Sequence, residues 1–376
     1  MEIFRNLFTS SQGLFWGVAG ILGITLLIFI HECGHFIMCK IFGVRTPSFS
    51  IGFGPKLISK KIGQTEFSIS AIPFGGYVEI AGSAEVGQGE QKEAFAQDEG
   101  SFAVRPFYQK FLIMSGGILF NLLFAYLVMV CVFACGLPKS EFLYPLNAIP
   151  KVETIENGSP ADKAGLKTGD LIIAANETPL NNDTEKLLGI LRDNGGKTIS
   201  FLIERNGEQT LFNVPLETKS AFGKNIGYLG TSFAMVTVQG IPFIKAIQRG
   251  IELTNRYIVA TVYMFKYIFA KRDMSNVGGP VMIIKATAQG ASKGLKVFLL
   301  FLAIISINLA ILNLIPLPIF DGGQIMIYGI EAIIGKSLPD KARLAINLTS
   351  WGLIMFLFIY VTIKDIWRII AQYIPK

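Results

Sequence analysis

The sequence predicts an α-helical polytopic membrane protein with four transmembrane helices, a membrane-associated β-hairpin and an inserted α/β domain. Three observations predict it. Hydrophobic residues fill 51% of the 376 positions and charged residues 16%, too apolar a balance for an ordinary soluble chain. Four apolar stretches, 6–30, 111–138, 297–320 and 344–363, reach the length of about 20 residues that crosses a bilayer as a helix. Between the second and third, charges return and short β-like runs appear. The net charge of +7 suits contact with anionic lipid and makes no specific case for nucleic acid.

The first stretch ends in Ile30-His31-Glu32-Cys33-Gly34-His35. Histidines four apart share a face of an α-helix. Two imidazoles so placed can hold one zinc ion (Zn2+), and Glu32 can act as general base on its water. Chance is the competing explanation, but two histidines and a glutamate at membrane depth are expensive and mark function. The chain has only two histidines, both here, so a further protein ligand must be a carboxylate or a thiolate. Cys39, four residues past His35, is the reserve thiolate. Cys131 and Cys135, one turn apart in the second stretch, are expected to pack. The length of the first stretch and its weakly charged start argue against a removable signal peptide.

Lys40, Arg45, Lys56, Lys60 and Lys61 follow before any acidic residue, which makes this loop cytoplasmic by the positive-inside rule. The N-terminus is then outside and the metal near the cytoplasmic face. Residues 49–80 read as strands, since Phe67, Ile69 and Ala71 alternate with Glu66, Ser68 and Ser70. Either a hairpin dipping towards the membrane or an ordinary cytosolic one fits this pattern. In the first case its edge could pair with an extended peptide. Residues 84–101 are polar and read as a flexible loop.

Residues 145–218 form the inserted domain, with strands at 152–155, 171–175, 198–203 and 211–214 and a helix near 184–192. Its run from Gly158-Ser159-Pro160-Ala161 through Gly165-Leu166-Lys167-Thr168-Gly169-Asp170 resembles the signature of bacterial PDZ domains. Such domains bind extended peptides by strand addition, so selection of a partner and simple steric capping are both open. Residues 219–296 are read as a linker with an interfacial amphipathic helix at 244–270. Its stripe is Ile258, Val262, Phe265 and Phe269. If 244–270 crossed the bilayer, the third span would reverse and carry Asp321 away from the histidines. Keeping it outside puts Lys271, Arg272, Lys293 and Lys296 outside too, against the positive-inside rule.

The third span ends at Pro316 and Pro318, which stop or kink a helix. Asp321 follows as the first charge after the apolar run. It completes a His₂–carboxylate set and leaves a fourth position open for water; the alternative is a helix N-cap. Asn308 and Asn313 can hydrogen-bond a substrate backbone or join helices. The membrane core therefore falls in two parts, 1–144 and 297–376.

Together the zinc motif, Ser50-Ile51-Gly52-Phe53-Gly54-Pro55, Gly75-Gly76-Tyr77-Val78, the PDZ-like segment and the stretch from Asn313 to Gly323 resemble the site-2 protease family, in its bacterial PDZ-containing form. The resemblance implies an intramembrane zinc metalloprotease of the bacterial inner membrane. Its catalytic residue would be Glu32, its zinc ligands His31, His35 and Asp321, and its substrate contacts Asn308, Asn313, Pro316, Pro318, Gly75 and Gly76. The implied substrates are single-span membrane proteins already cut by another protease, such as anti-sigma factors, and remnant signal peptides. Two features depart from the family's pattern: Phe320 precedes Asp321 where leucine is usual, and one PDZ-like module is present where some relatives have two. A scaffold with structural zinc and a transporter are the competing functions. The open three-ligand set with Glu32 beside it speaks against the first, and four spans with no detected internal repeat speak against the second.

Overall fold

The computed structural model describes residues 11–83, 91–221, 224–271 and 278–371. The chain divides into two compact units, Ala134–Ile241 and the remainder on either side of it.

The first half of the membrane unit runs α1 (Ser11–Ile41), β1 (Ser48–Ile62), β2 (Thr65–Val78) and α2 (Phe107–Cys135). Helix α1 does not stop at Ile30: it continues through the histidine motif to Ile41, so His31 and His35 sit on regular helix. The hairpin is more folded than its alternation suggests. Residues 48–51 of β1 pair with both 66–69 and 76–78 of β2, and Lys56–Ile62 pairs with the outer part of β2. Its inner face packs on α1 through edge-to-face rings, Phe29 on Phe49 at 5.7 Å and Phe36 on Phe49 at 5.5 Å. The Thr25 hydroxyl of α1 donates to the Pro73 carbonyl. Its far side leaves Leu57, Ile58, Ile62, Ile69 and Ile72 exposed.

Of the loop expected at 84–101, residues 84–90 lie outside the described residues. The described part is tied down: Arg45 donates to Glu93 at 2.8 and 2.9 Å and to Asp98 at 2.6 and 2.7 Å. Helix α2 turns Val128, Met129, Val132 and Phe133 inward. That leaves Cys131 and Cys135 exposed on its surface, contrary to the packing role expected for them.

The inserted unit holds β3 (Ala148–Ile155), α3 (Pro160–Lys163), β4 (Leu171–Ala175), β5 (Thr178–Pro179), α4 (Thr184–Asp193), β6 (Thr198–Arg205), β7 (Glu208–Pro215), β8 (Glu217–Ala221), β9 (Lys224–Tyr228) and β10 (Thr231–Met235). Its main sheet has the order β10-β3-β4-β6-β7, with β5 on β4. The unit is wider than 145–218 because β10 returns to pair with β3 and a bridge joins Leu137 to Val238. Leu187 and Leu191 of α4 close the core over Ile172, Phe201 and Ile203.

Asp170 fixes the turn before β4. Its carboxylate, almost fully buried, accepts from Arg205 at 2.7 and 2.8 Å and from the Lys167 amide at 2.7 Å. Burial alone would raise its pKa, but these donors outweigh burial and hold it below the usual carboxylate value. A lowered folded-state pKa gives stability that is present above the ordinary value of about 3.9 and is lost as pH falls through the depressed one. Asp170→Asn is therefore expected to destabilise the inserted unit by about 2 kcal/mol at pH 7. The gap to wild type should close below pH 4. Hydrogen exchange of the β4 and β6 amides, corrected for intrinsic rate, reads both.

The second half of the membrane unit runs α5 (Phe243–Lys271), α6 (Pro280–Ser292), α7 (Leu295–Asn313), α8 (Asp321–Ile334) and α9 (Asp340–Ala371). Among the described residues, α1, α2, α7 and α9 contain the segments long and apolar enough to cross a membrane. Helix α5 is not among them, and it touches two of them. Gly250 meets Val130 of α2, Tyr126 of α2 donates to Asn255 at 2.6 Å, and Thr261 donates to Asn308 of α7 at 2.9 Å. Ser306 of α7 donates to the Asn121 carbonyl of α2 at 2.9 Å. Asn121 and Val130 are about 14 Å apart along α2, and Gly250 and Thr261 about 16 Å apart along α5. Helix α5 therefore packs on α2 near Val130 and on α7 near Asn308.

The buried stripe of α5 is also shifted. It consists of Ala246, Gly250, Leu253, Thr254 and Thr261, while Val262 is exposed. Small residues let backbones approach closely, while Ile258 and Phe265 are only half-buried. A thirteen-residue helix, α6, lies between α5 and α7 where the sequence reads as linker. Asp365 of α9, fully buried, caps its start by accepting from the Gly279 and Met282 amides at 3.1 Å.

Candidate metal centre

The centre is assembled from α1, α2, β2 and the start of α8. On α1 the Nε2 atoms of His31 and His35 lie 3.1 Å apart. Helix α7 ends at Asn313, and tight turns through Leu314–Phe320 bring the chain into α8. Asp321 opens that helix without capping it, since no side-chain hydrogen bond closes the N-terminus. Its carboxylate instead faces the histidines: Oδ2 is 3.3 Å from His31 Nε2 and Oδ1 is 3.5 Å from His35 Nε2.

These residues fit a zinc ion. A tetrahedral ion with ligands at 2.0–2.1 Å needs donor atoms about 3.3 Å apart, and the three separations are 3.1, 3.3 and 3.5 Å. Asp321 Oδ2 is buried with no hydrogen-bond partner, a cost that a bound cation removes. His35 Nδ1 lies 2.9 Å from the Ile113 carbonyl. A carbonyl only accepts, so the proton is on Nδ1 and the Nε2 lone pair faces the site. Among the described residues, His31, His35 and Asp321 form the one cluster with metal-ligand spacing.

Cys39 is not part of it. Cys39 lies about 40° further round α1 than His35 and about 80° from His31. It is buried in the cluster of Val44, Phe49, Val78 and Phe102. Glu32 stands between the ligands and β2, where its Oε2 accepts from the Val78 amide at 3.0 Å. The strand end therefore fixes the carboxylate next to the donor set while leaving Oε1 for other work.

Glycine makes the assembly possible. A Cβ on Gly34 would stand 2.2 Å from the Gly116 carbonyl oxygen, and one on Gly117 only 2.4 Å from His31 Cε1 and 2.5 Å from His35 Nε2. At Gly322 and Gly323 a Cβ would meet the carbonyl oxygens of Leu314 and Leu317 at 2.5 and 2.1 Å. The backbones of α1 and α2, and of α8 and its preceding turn, touch because no side chain intervenes.

The six expected substrate contacts fall into three places. Gly76 pairs with Ile51 in the hairpin, and Gly75, with φ +91°, lies against the Phe53 ring. Asn313 is half-buried at the end of α7, Pro316 is exposed, and the Pro318 carbonyl accepts from Gln324. Asn308 accepts from Thr261, the helix-joining alternative. Residues of the site to which the sequence assigned no role are Gly117, Val78 and Asn121. Asn121, fully buried on α2, sets its carboxamide nitrogen 3.2 Å from His31 Nδ1. A lone asparagine inside an apolar span was the signal available.

Two imidazoles and a carboxylate around an open position, with a glutamate alongside and on helices apolar enough to span a bilayer, define a membrane metalloprotease. The chain belongs to Peptidase family M50, the site-2 protease family, whose sequence model matches residues 19–357. It is 32% identical over 354 residues to a Clostridium perfringens protein that carries the provisional name zinc metalloprotease, covering 93% of this chain and 98% of that one. A Nostoc protein with the same kind of name is 30% identical over 363 residues, 94% and 97% of the two chains. A chloroplastic membrane metalloprotease of Arabidopsis thaliana is 30% identical over 358 residues, 91% of this chain and 76% of that protein.

Proposed function

We propose that the chain is an intramembrane zinc metalloendopeptidase that hydrolyses peptide bonds within the transmembrane segments of single-span proteins. The observation that carries this reading is the donor triangle of 3.1–3.5 Å with Glu32 beside it and no fourth protein ligand among the described residues. A closed structural site would need that fourth ligand. Zinc held by His31, His35 and Asp321 would supply a Lewis acid for the scissile carbonyl and acidify a water towards pKa ~7. Glu32 takes the proton from the attacking water and delivers it to the leaving amine. The Val78 amide orients Glu32 for both transfers.

The carbonyls of a transmembrane helix are hydrogen-bonded internally, so a substrate must unwind locally before attack. Asn313 offers hydrogen bonds to such an extended segment, and the Gly76–Val78 edge a strand to pair with. The exposed Leu57, Ile58 and Ile62 give the hairpin an apolar surface suited to a bilayer. Substrates of this kind are membrane proteins already trimmed by another protease, including anti-sigma factors and remnant signal peptides. The setting is the bacterial inner membrane, with the metal near the cytoplasmic face and the inserted unit outside. There the inserted unit, read as a PDZ-like domain, selects or filters substrates.

The test uses the purified protein in detergent and a single-span substrate whose helix is weakened by glycine and proline. Cleavage is expected within the span, abolished by a zinc chelator and restored by zinc. A zinc-loaded wild type that leaves several such substrates intact would favour the scaffold instead.

A further inference from the structure

We propose that Asn121 is a positioning residue whose carboxamide oxygen accepts the Nδ1 proton of His31, fixing the tautomer in which Nε2 is bare towards the metal. The inference rests on the zinc reading above and adds a residue to it.

A neutral imidazole carries one proton, and the partner of one nitrogen decides where it sits. Both Nε2 atoms point at Asp321 and at each other. Each ring can offer a lone pair there only if its Nδ1 holds the proton. For His35 the Ile113 carbonyl secures this. For His31 the group facing Nδ1 is the Asn121 carboxamide, and an amide can present either end. With its NH₂ towards Nδ1, the His31 proton is left on Nε2, pointing into the metal position. With its oxygen there, Nε2 is free.

The structure has the nitrogen at 3.2 Å and leaves Asn121 Oδ1 buried without a partner, in a residue with no exposed surface. A half-turn of the amide gives that oxygen the Nδ1–H it lacks. Nothing else about the residue need move. Its backbone carbonyl is held by Ser306 at 2.9 Å, and Gly117, one turn earlier, leaves the space that both rings occupy. Ordering of a ligand histidine through its second nitrogen is a general feature of zinc sites. Here it falls to a neutral amide that can also serve the metal-free tautomer.

The experiment compares wild type, Asn121→Asp and Asn121→Leu, purified in detergent. Zinc affinity is read by competition with a chromophoric chelator. Because the chain has only two histidines, ¹⁵N-imidazole NMR of the zinc-loaded protein resolves both rings. Wild type should show two Nδ1–H resonances protected from solvent exchange. Asn121→Leu should lose the protection of one and bind zinc about tenfold to a hundredfold more weakly. Asn121→Asp, which keeps an acceptor and lacks the NH₂, should retain wild-type affinity and move the His31 Nδ1–H resonance downfield while that of His35 stays. Equal affinity in all three, or an aspartate variant that falls as far as leucine, overturns the proposal. If the leucine variant does not fold, an unmoved His31 resonance in Asn121→Asp overturns it alone. A wild type that binds no zinc would instead sink the protease reading.

Discussion

Gly117→Ala is expected to strip the centre of its metal. The added methyl would stand 2.4 Å from His31 Cε1 and 2.5 Å from His35 Nε2, against a normal carbon contact of about 3.5–4.0 Å. Neither ring can simply turn aside, because His35 is held at Nδ1 by Ile113 and His31 lies against Asn121. Nor can α2 slide back without opening the Gly34–Gly116 contact, where the two backbones already touch. Zinc affinity should fall by more than about 100-fold, beyond the usual loss from an outer-layer change. Helix content should stay near wild type. Elemental analysis after gel filtration measures the first and circular dichroism the second. Full zinc occupancy in Gly117→Ala would show that the rings have room the packing denies them.

Asp321→Asn should have an effect of the same size for a different reason. The substitution keeps the shape of the side chain and removes its charge. Asp321 is the anionic member of the donor set, and its Oδ2 has no hydrogen-bond partner to lose. A neutral amide oxygen is a far poorer ligand for a divalent ion. The loss should exceed the roughly tenfold to hundredfold that outer-layer changes cause. Unchanged stoichiometry by elemental analysis would reject Asp321 as a ligand.

The parts of this centre that were legible in the sequence are those fixed by local geometry. His31, Glu32 and His35 follow from a spacing of four on one helix. Asp321 was reachable because the chain has no third histidine and an acid ends an apolar run. The second layer was not legible because it depends on register between distant elements. Gly117, Asn121 and Val78 reach the motif from 46 to 90 residues away, and no periodicity encodes that alignment. The contacts of α5 were hidden for a related reason. Its bulky apolar stripe is conspicuous, but its small residues make the contacts. The full extent of the inserted unit was not legible because β10 follows β9 in the chain yet pairs with β3.

The most direct measurement sets wild type beside Glu32→Gln. Both are purified in detergent, assayed for zinc, and given the same single-span substrate, with products mapped by mass spectrometry. Both should carry equal zinc, since Glu32 is not among the ligands. Wild type should cut within the span, and Glu32→Gln should be slower by about 10² to 10⁴, the usual weight of a general acid–base group. Equal cutting by the two would contradict the account, because the proton would then be moved by some other group.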